Sequence, residues 1–261
     1  MHALRWWQRG LVGVSLAVLA FLYIPIVVLV IFSFNDSKVT SFPLAGFTFR
    51  WYEAFLANEQ MLRALANSLI VALFATALSV IVGVTAALAL DRYAFPGKRL
   101  FQNVILLPLS LPGIVTGIAM LNFYKQIGIP QSLTAVVIGH ATALLGVVVS
   151  QVMARLAKLN RRQLEASADL GATPFETFRR VILPGIRSSI LGSALLCFTL
   201  SFDEIPVTYF LTGREVTLPI YIYSTLRRGI TPEINAIGTV IVAVSFVLIV
   251  LSVTLLRDRE Q

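Results

Sequence analysis

The chain has 261 residues, of which 57% are hydrophobic and only 13% charged, a composition far from that of soluble domains and suited to lipid as solvent. Its net charge of +8 would fit a nucleic-acid binder, but the basic residues are distributed as membrane topology dictates, which excludes nucleic acid as the reason for them. A single cysteine, Cys197, excludes a disulfide framework and a cysteine-based metal site, and reads as a small core residue.

Residues 10–35, 64–90, 100–124, 126–154 and 234–256 contain no Asp, Glu, Lys or Arg, and each is long enough for the roughly 20-residue helix that crosses a bilayer core. A sixth stretch, 188–211, is interrupted only by two acids near its end. The predicted fold is an all-α polytopic membrane protein, one domain over 1–261 with six transmembrane helices at about 11–34, 66–90, 101–121, 133–153, 188–211 and 235–256. With the N-terminus inside, Arg5, Arg9, Arg92, Lys98, Arg99, the basic residues of loop 155–187, Arg257 and Arg259 all fall on the cytoplasmic side, two thirds of the 21 Lys and Arg. The positive-inside rule then places both termini in the cytoplasm.

Arg5 and Arg9 precede the first span as in a signal peptide, but the apolar run is about twice the usual length and lacks an A-x-A site, so it reads as a retained helix. Between the first two spans, Phe47, Phe49, Trp51, Tyr52 and Phe55, with Pro43 and Gly46, predict a short helix at the outer headgroup level. The third span opens with Pro108, Pro112, Gly113 and Gly117, whose freed carbonyls must be satisfied by protein or water. Two readings stand: a helix facing a pathway or partner, or a packed kink. In the fourth span His140, beside Thr142, is a functional candidate by position, but reads better as an interhelical hydrogen-bonding group and is left off the site residues.

The loop 155–187 carries its own helix punctuation. Lys158 to Leu170 favour helix, and Gly171 supplies a left-handed residue after it. Thr173, Pro174 and Glu176 then form the N-cap, N1 and N3 of a second helix, which carries Phe175, Phe178, Val181 and Ile182, and Pro184 marks a turn into the fifth span. Small residues at Ala166, Ser167, Gly171 and Ala172 leave the bend open to close approach by another protein. An amphipathic connector between spans is the alternative reading of the same pattern.

Glu165-Ala166-Ser167, Gly171 after three more residues, and Val181-Ile182-Leu183-Pro184 after a further nine, match the spacing E-A-A, three residues, G, nine residues, I, one residue, L-P. Ser167 stands for the second Ala and Val181 for the Ile. On these residues the chain resembles the permease subunits of binding-protein-dependent ABC importers, whose fold is the type I (MetI-like) permease. Less diagnostic segments resemble the PotC-like spermidine and putrescine branch: FTFRWY at 47–52, LLPLSLPGIVTG at 106–117, GHAT at 139–142, FTLSFDEIPV at 198–207 and TLP at 217–219.

The resemblance implies that Glu165, Ala166, Ser167, Gly171, Ala172, Leu183 and Pro184 couple the chain to a dimer of ATP-binding subunits, which would hold the ATP and magnesium, with no cofactor in this chain. It further implies a second permease and an external solute-binding protein as partners. Related branches carry iron, sulfate, thiamine, phosphonates or amino-acid-like solutes on the same scaffold, so fold alone leaves the solute open.

Asp203 and Glu204 lie roughly 24 Å along the fifth span at 1.5 Å per residue. As helix neighbours they would project about 100° apart. They read either as contacts for a cationic solute or as partners of a structural Arg. Trp51, Tyr209, Tyr221 and Tyr223 are candidate cation-π supports or interfacial belt residues. An ion-driven secondary transporter would show repeated halves, which are not seen, and an intramembrane enzyme would need a denser cluster than His140, Asp203 and Glu204. No P-loop pattern occurs, so a nucleotide-driven cycle requires another polypeptide.

Overall fold

The computed structural model describes residues 2–39, 41–227 and 231–257, with side chains described for 7–39, 41–227 and 231–247. Arg5, Arg257 and Arg259, used above for orientation, have side chains outside these limits. The described residues are helical apart from loops and one isolated bridge between Asn35 and Phe47. They form two compact units, one of residues 1–62 with 222–261 and one of 63–221.

In the first unit, α1 (His2–Ser33) packs with α12 (Pro232–Arg257), which also meets α2 (Arg50–Ala57). The predicted short helix after the first span is α2, held by Trp51, whose buried indole N–H donates to the Asn35 carbonyl at 2.8 Å. Arg50 is ion-paired with Asp36 at 2.7 Å.

The second unit is built around α6 (Leu133–Leu156), whose buried face supplies Val147, Val148, Val149 and Val152 to a core shared with Val84 and Leu90 of α3 (Glu59–Arg92). Ile105 of α4 (Lys98–Ser110) and Ile186 and Cys197 of α9 (Leu183–Phe202) complete it, so Cys197 is the core residue expected. The buried Ser79 hydroxyl, which lipid could not satisfy, is paired within the protein, donating to the carbonyls of Ala75 and Ala141.

Two predicted spans are corrected. The third, expected as one helix over 101–121, is broken into α4 and α5 (Gly113–Gln126), which meet at 116°. Pro108 is absorbed inside α4, whereas Pro112 lacks the N–H that would continue the ladder and drives Leu111 to an extended conformation, φ −90° and ψ 142°. The fifth, expected over 188–211, ends at Phe202, and the chain resumes as α10 (Pro206–Leu211) because Pro206 cannot donate to the Phe202 carbonyl. α10 packs on α5 and α6, and α11 (Leu218–Leu226) follows. Gly117 permits the contact of α5 with α10: a Cβ there would stand 3.0 Å from the Pro206 carbonyl oxygen and 3.2 Å from the Val207 Cα.

Among the described residues four helices are long and apolar enough to cross a membrane, and α4 with α5 makes a fifth if the bent pair is one span.

Candidate functional site

The bend of the 155–187 loop is fixed by backbone chemistry on both sides. The first helix, α7, runs Arg161–Asp169 rather than from Lys158, because the Asn160 side chain accepts from the Arg162 N–H and caps it there. At its other end Gly171 has φ +73°, and the Gly171 and Ala172 N–H groups donate to the carbonyls of Ala168 and Ser167 at 2.9 and 3.1 Å. That pair of bonds is a Schellman motif, which closes the helix and turns the chain. The second helix opens as expected: Thr173 Oγ1 accepts from the Glu176 N–H at 3.3 Å, and Glu176 Oε2 accepts from the Thr173 N–H at 2.9 Å. Ser167, the family's second Ala position, shares a 2.9 Å hydrogen bond with the Thr177 hydroxyl and ties the two helices together.

The expected turn at Pro184 is absent. From α8 (Pro174–Thr177) the chain passes through a π turn (Phe178–Ile182) into α9, with the Leu183 N–H donating to the Phe178 carbonyl. The wider turn takes up the carbonyls that Pro184, lacking an N–H, cannot serve, so the helix continues. Two further contacts join the end of α6 to α9: Arg155 Nε donates to the Gly185 carbonyl at 2.9 Å, and the Leu159 side chain seats directly against Gly185.

The apex presents apolar groups to solvent. Leu170 is 88% exposed and Phe175 68%, on either side of Gly171 and Ala172. Glu165, Ala166, Leu183 and Pro184 are exposed, and Ser167 and Ala172 half-buried. Leu170 and Phe175 are not among the coupling residues that the resemblance implies, although an apolar residue at the C-cap of a polar helix is a signal that could have added Leu170.

The second constellation lies at the α9–α10 break. Asp203 and Glu204 do not share a regular helix as expected: Asp203 is the C-cap of α9 and exposed, and Glu204 lies in the break itself, half-buried. Glu204 Oε1 accepts from the Val207 N–H at 2.8 Å, and its own carbonyl accepts from the Thr208 hydroxyl at 2.9 Å. A cavity of about 200 Å³ opens here, lined among others by Pro108, Gly113, Thr116, His140, Ser201 and Glu204. The α4–α5 break thus faces the α9–α10 break, with Gly113 against Pro206 and the Glu204 carboxylate. Buried His140 makes two side-chain hydrogen bonds of 2.8 Å, to Ser201 on α9 and Thr208 on α10, the interhelical role expected of it.

A family model described as the binding-protein-dependent transport system inner membrane component matches residues 79–259, a span that includes both the bend and the break. The chain belongs to this family. This permease is 36% identical over 250 residues to the spermidine/putrescine transport system permease protein PotC of Escherichia coli (strain K12), covering 95% of this chain and 94% of that protein. It is 37% identical over 229 residues to the putrescine transport system permease protein PotI of the same strain, covering 85% and 81%. In fold it is similar to a chain of a bacterial ABC transporter involved in the import of the acidic polysaccharide alginate, with a TM-score of 0.76 at 18% identity over 97% of this chain and 96% of that one. The permease is thus an inner-membrane transport component with an ABC-importer permease fold.

The aromatic candidates fall in both units of this permease, Trp51 and Tyr223 in the first and Tyr209 and Tyr221 in the second. Trp51 is buried, and the Arg50 guanidinium already lies 4.3 Å from its ring centroid. Tyr209 on α10 is 52% exposed and packs edge-on against Phe210. Tyr221 is half-buried on α11, and the Tyr223 ring carries the Arg227 guanidinium at 4.7 Å.

Proposed function

We propose that this permease imports polyamines of the spermidine and putrescine class, forming the pathway with a second, similar permease and driven by a pair of separate ATP-binding subunits docked on its 155–187 loop. An external binding protein delivers the solute. The chain contributes no catalytic group and no cofactor site; ATP and magnesium bind to the partner subunits, whose closure moves the loop and with it α9.

The observation that carries the coupling role is the bend itself. Schellman bonds, a capping box and the Ser167–Thr177 hydrogen bond hold it before any partner arrives, so docking costs little ordering entropy. Leu170 and Phe175 supply apolar anchors at its apex. Glu165, Ala166, Gly171 and Ala172 frame the docking surface, and Leu183 and Pro184 begin the rod that carries the displacement into the membrane.

The solute class is supported by the names of the PotC and PotI relatives and by the acid pair at the helix break. Asp203 and Glu204 meet the ammonium groups; Tyr209 and Tyr221 of the same unit are the aromatic candidates for the solute, whereas Trp51 and Tyr223 already carry the Arg50 and Arg227 guanidinium groups. Six crossings follow if α4 with α5 and α9 with α10 are each one broken span and α12 is the last. Cytoplasmic termini then put the loop on the ATPase side.

Replacing both Leu170 and Phe175 by Asp tests this reading. Losing buried anchors of this kind costs about 2 kcal/mol each, near thirtyfold in affinity per residue. Co-purification of the ATP-binding subunits should fall at least tenfold while the chain stays in the membrane. Undiminished co-purification would contradict the docking role.

A further inference from the structure

A carboxylate at a helix break is not held by the regular backbone ladder, so its direction depends on the few bonds that cross the break. For Glu204 these are the Val207 N–H to its Oε1 and the Thr208 hydroxyl to its carbonyl. Thr208 is itself held: His140 Nε2 lies 2.8 Å from its Oγ1, and His140 Nδ1 lies 2.8 Å from Ser201 Oγ on the other side of the break. Because Thr208 spends its proton on the Glu204 carbonyl, its oxygen accepts from Nε2–H, which leaves Nδ1 bare to accept from the Ser201 hydroxyl. One tautomer therefore satisfies the whole relay. All three side chains are almost fully buried, His140 at 2%, Ser201 at 4% and Thr208 at 0% exposure, so no solvent competes.

We infer that His140 is a positioning residue for transport: it spans the α9–α10 break and, through Thr208, fixes the Glu204 backbone from which the carboxylate reaches the cavity where the solute's ammonium group is received. The inference rests on the reading of Glu204 as a solute contact. His140 stands on α6, the helix around which this unit packs, and so ties the break to the buried core. Without the imidazole, the Ser201 hydroxyl loses its acceptor, the Thr208 oxygen loses its donor, and the α10 end of the break loses its hydrogen bond to α6. Glu204 keeps the Val207 N–H bond to its Oε1, but the backbone that carries it is no longer fixed to α6. Transport fails at the handover of solute rather than at ATPase docking, because the bend at 167–177 shares none of these bonds.

The complete transporter, reconstituted with its ATP-binding subunits, partner permease and binding protein, tests this with putrescine and spermidine as probes. The reading is solute imported per ATP hydrolysed. His140→Ala should lower it about tenfold, the usual scale for unpairing a buried hydrogen-bonded group. His140→Gln, which keeps an N–H in reach of Thr208, should recover most of it. Glu204→Gln should give a similar loss, and the double variant no further loss than Glu204→Gln alone. If Glu204→Gln leaves the ratio unchanged, the solute-contact reading falls and this inference with it. If Glu204→Gln lowers the ratio but His140→Ala does not, only the positioning role is overturned. A His140→Ala variant whose transport and ATP hydrolysis decline in proportion would reduce His140 to a packing residue and overturn it as well.

Discussion

Gly171 holds φ at +73° with nothing within 4 Å of where a side chain would begin, whereas Gly117 lies against the backbone of Pro206 and Val207 with no room for a Cβ. Substitutions at the two positions should therefore fail differently. Gly171→Val forces a branched residue into a left-handed conformation at a cost of about 1–2 kcal/mol and should weaken ATPase co-purification, while Gly171→Asn, which tolerates that conformation, should retain it. Gly117→Val should instead reduce the amount of folded chain in the membrane, because α5 must separate from α10. Equal behaviour of Val and Asn at 171 would contradict the Schellman account. Among the acids, Glu204 lines the cavity and Asp203 is exposed at the cap, so Glu204→Gln should reduce polyamine uptake more than Asp203→Asn. Comparable losses would give Asp203 an equal share of the contact and contradict this ranking. The sequence placed both acids near the end of a span but had them on one helix, since nothing local to 203–205 announces that Pro206 will end the ladder rather than be absorbed as Pro108 is.

At the scale of elements, the capping box of α8 has a pH signature. The Glu176 carboxyl is held below its ordinary value of 4.5, first by the Thr173 backbone N–H, then by the Thr173 hydroxyl, with the Arg180 charge adding to both. A depressed native value means the cap's contribution is complete above 4.5 and is lost as the pH falls through that lower value. Hydrogen-exchange protection of the Thr173 amide should accordingly be flat from neutral pH down to 4.5 and decline only below it, and should be missing at all pH values in Glu176→Ala. A decline beginning above 4.5 would contradict this assignment. The caps at Gly171 and Thr173 were legible because they depend on residues within one turn of each other. Pro184 was not: a π turn upstream lets the helix run on, and the Arg155 and Leu159 contacts to Gly185 that support it come from a helix end some 30 positions away.

At the scale of the whole molecule, the absence of charge over long stretches reveals which segments face lipid and roughly where they lie, because burying charge in hydrocarbon is so costly that selection leaves none. The same stretches do not show where a helix breaks. The 116° bend between α4 and α5 and the interruption at 203–205 depend on what packs against the freed carbonyls, and that partner is distant in sequence. Family membership was legible from twenty residues, Glu165 to Pro184, because their spacing encodes a rigid bend. The central claim is that this bend makes transport depend on a separate ATPase. Uptake of labelled spermidine into proteoliposomes containing this chain, its partner permease and the binding protein tests it most directly, with and without the ATP-binding subunits. The expected result is uptake only when those subunits and ATP are present, and its loss in the Leu170→Asp, Phe175→Asp variant. Uptake that persists without the ATP-binding subunits would contradict the claim.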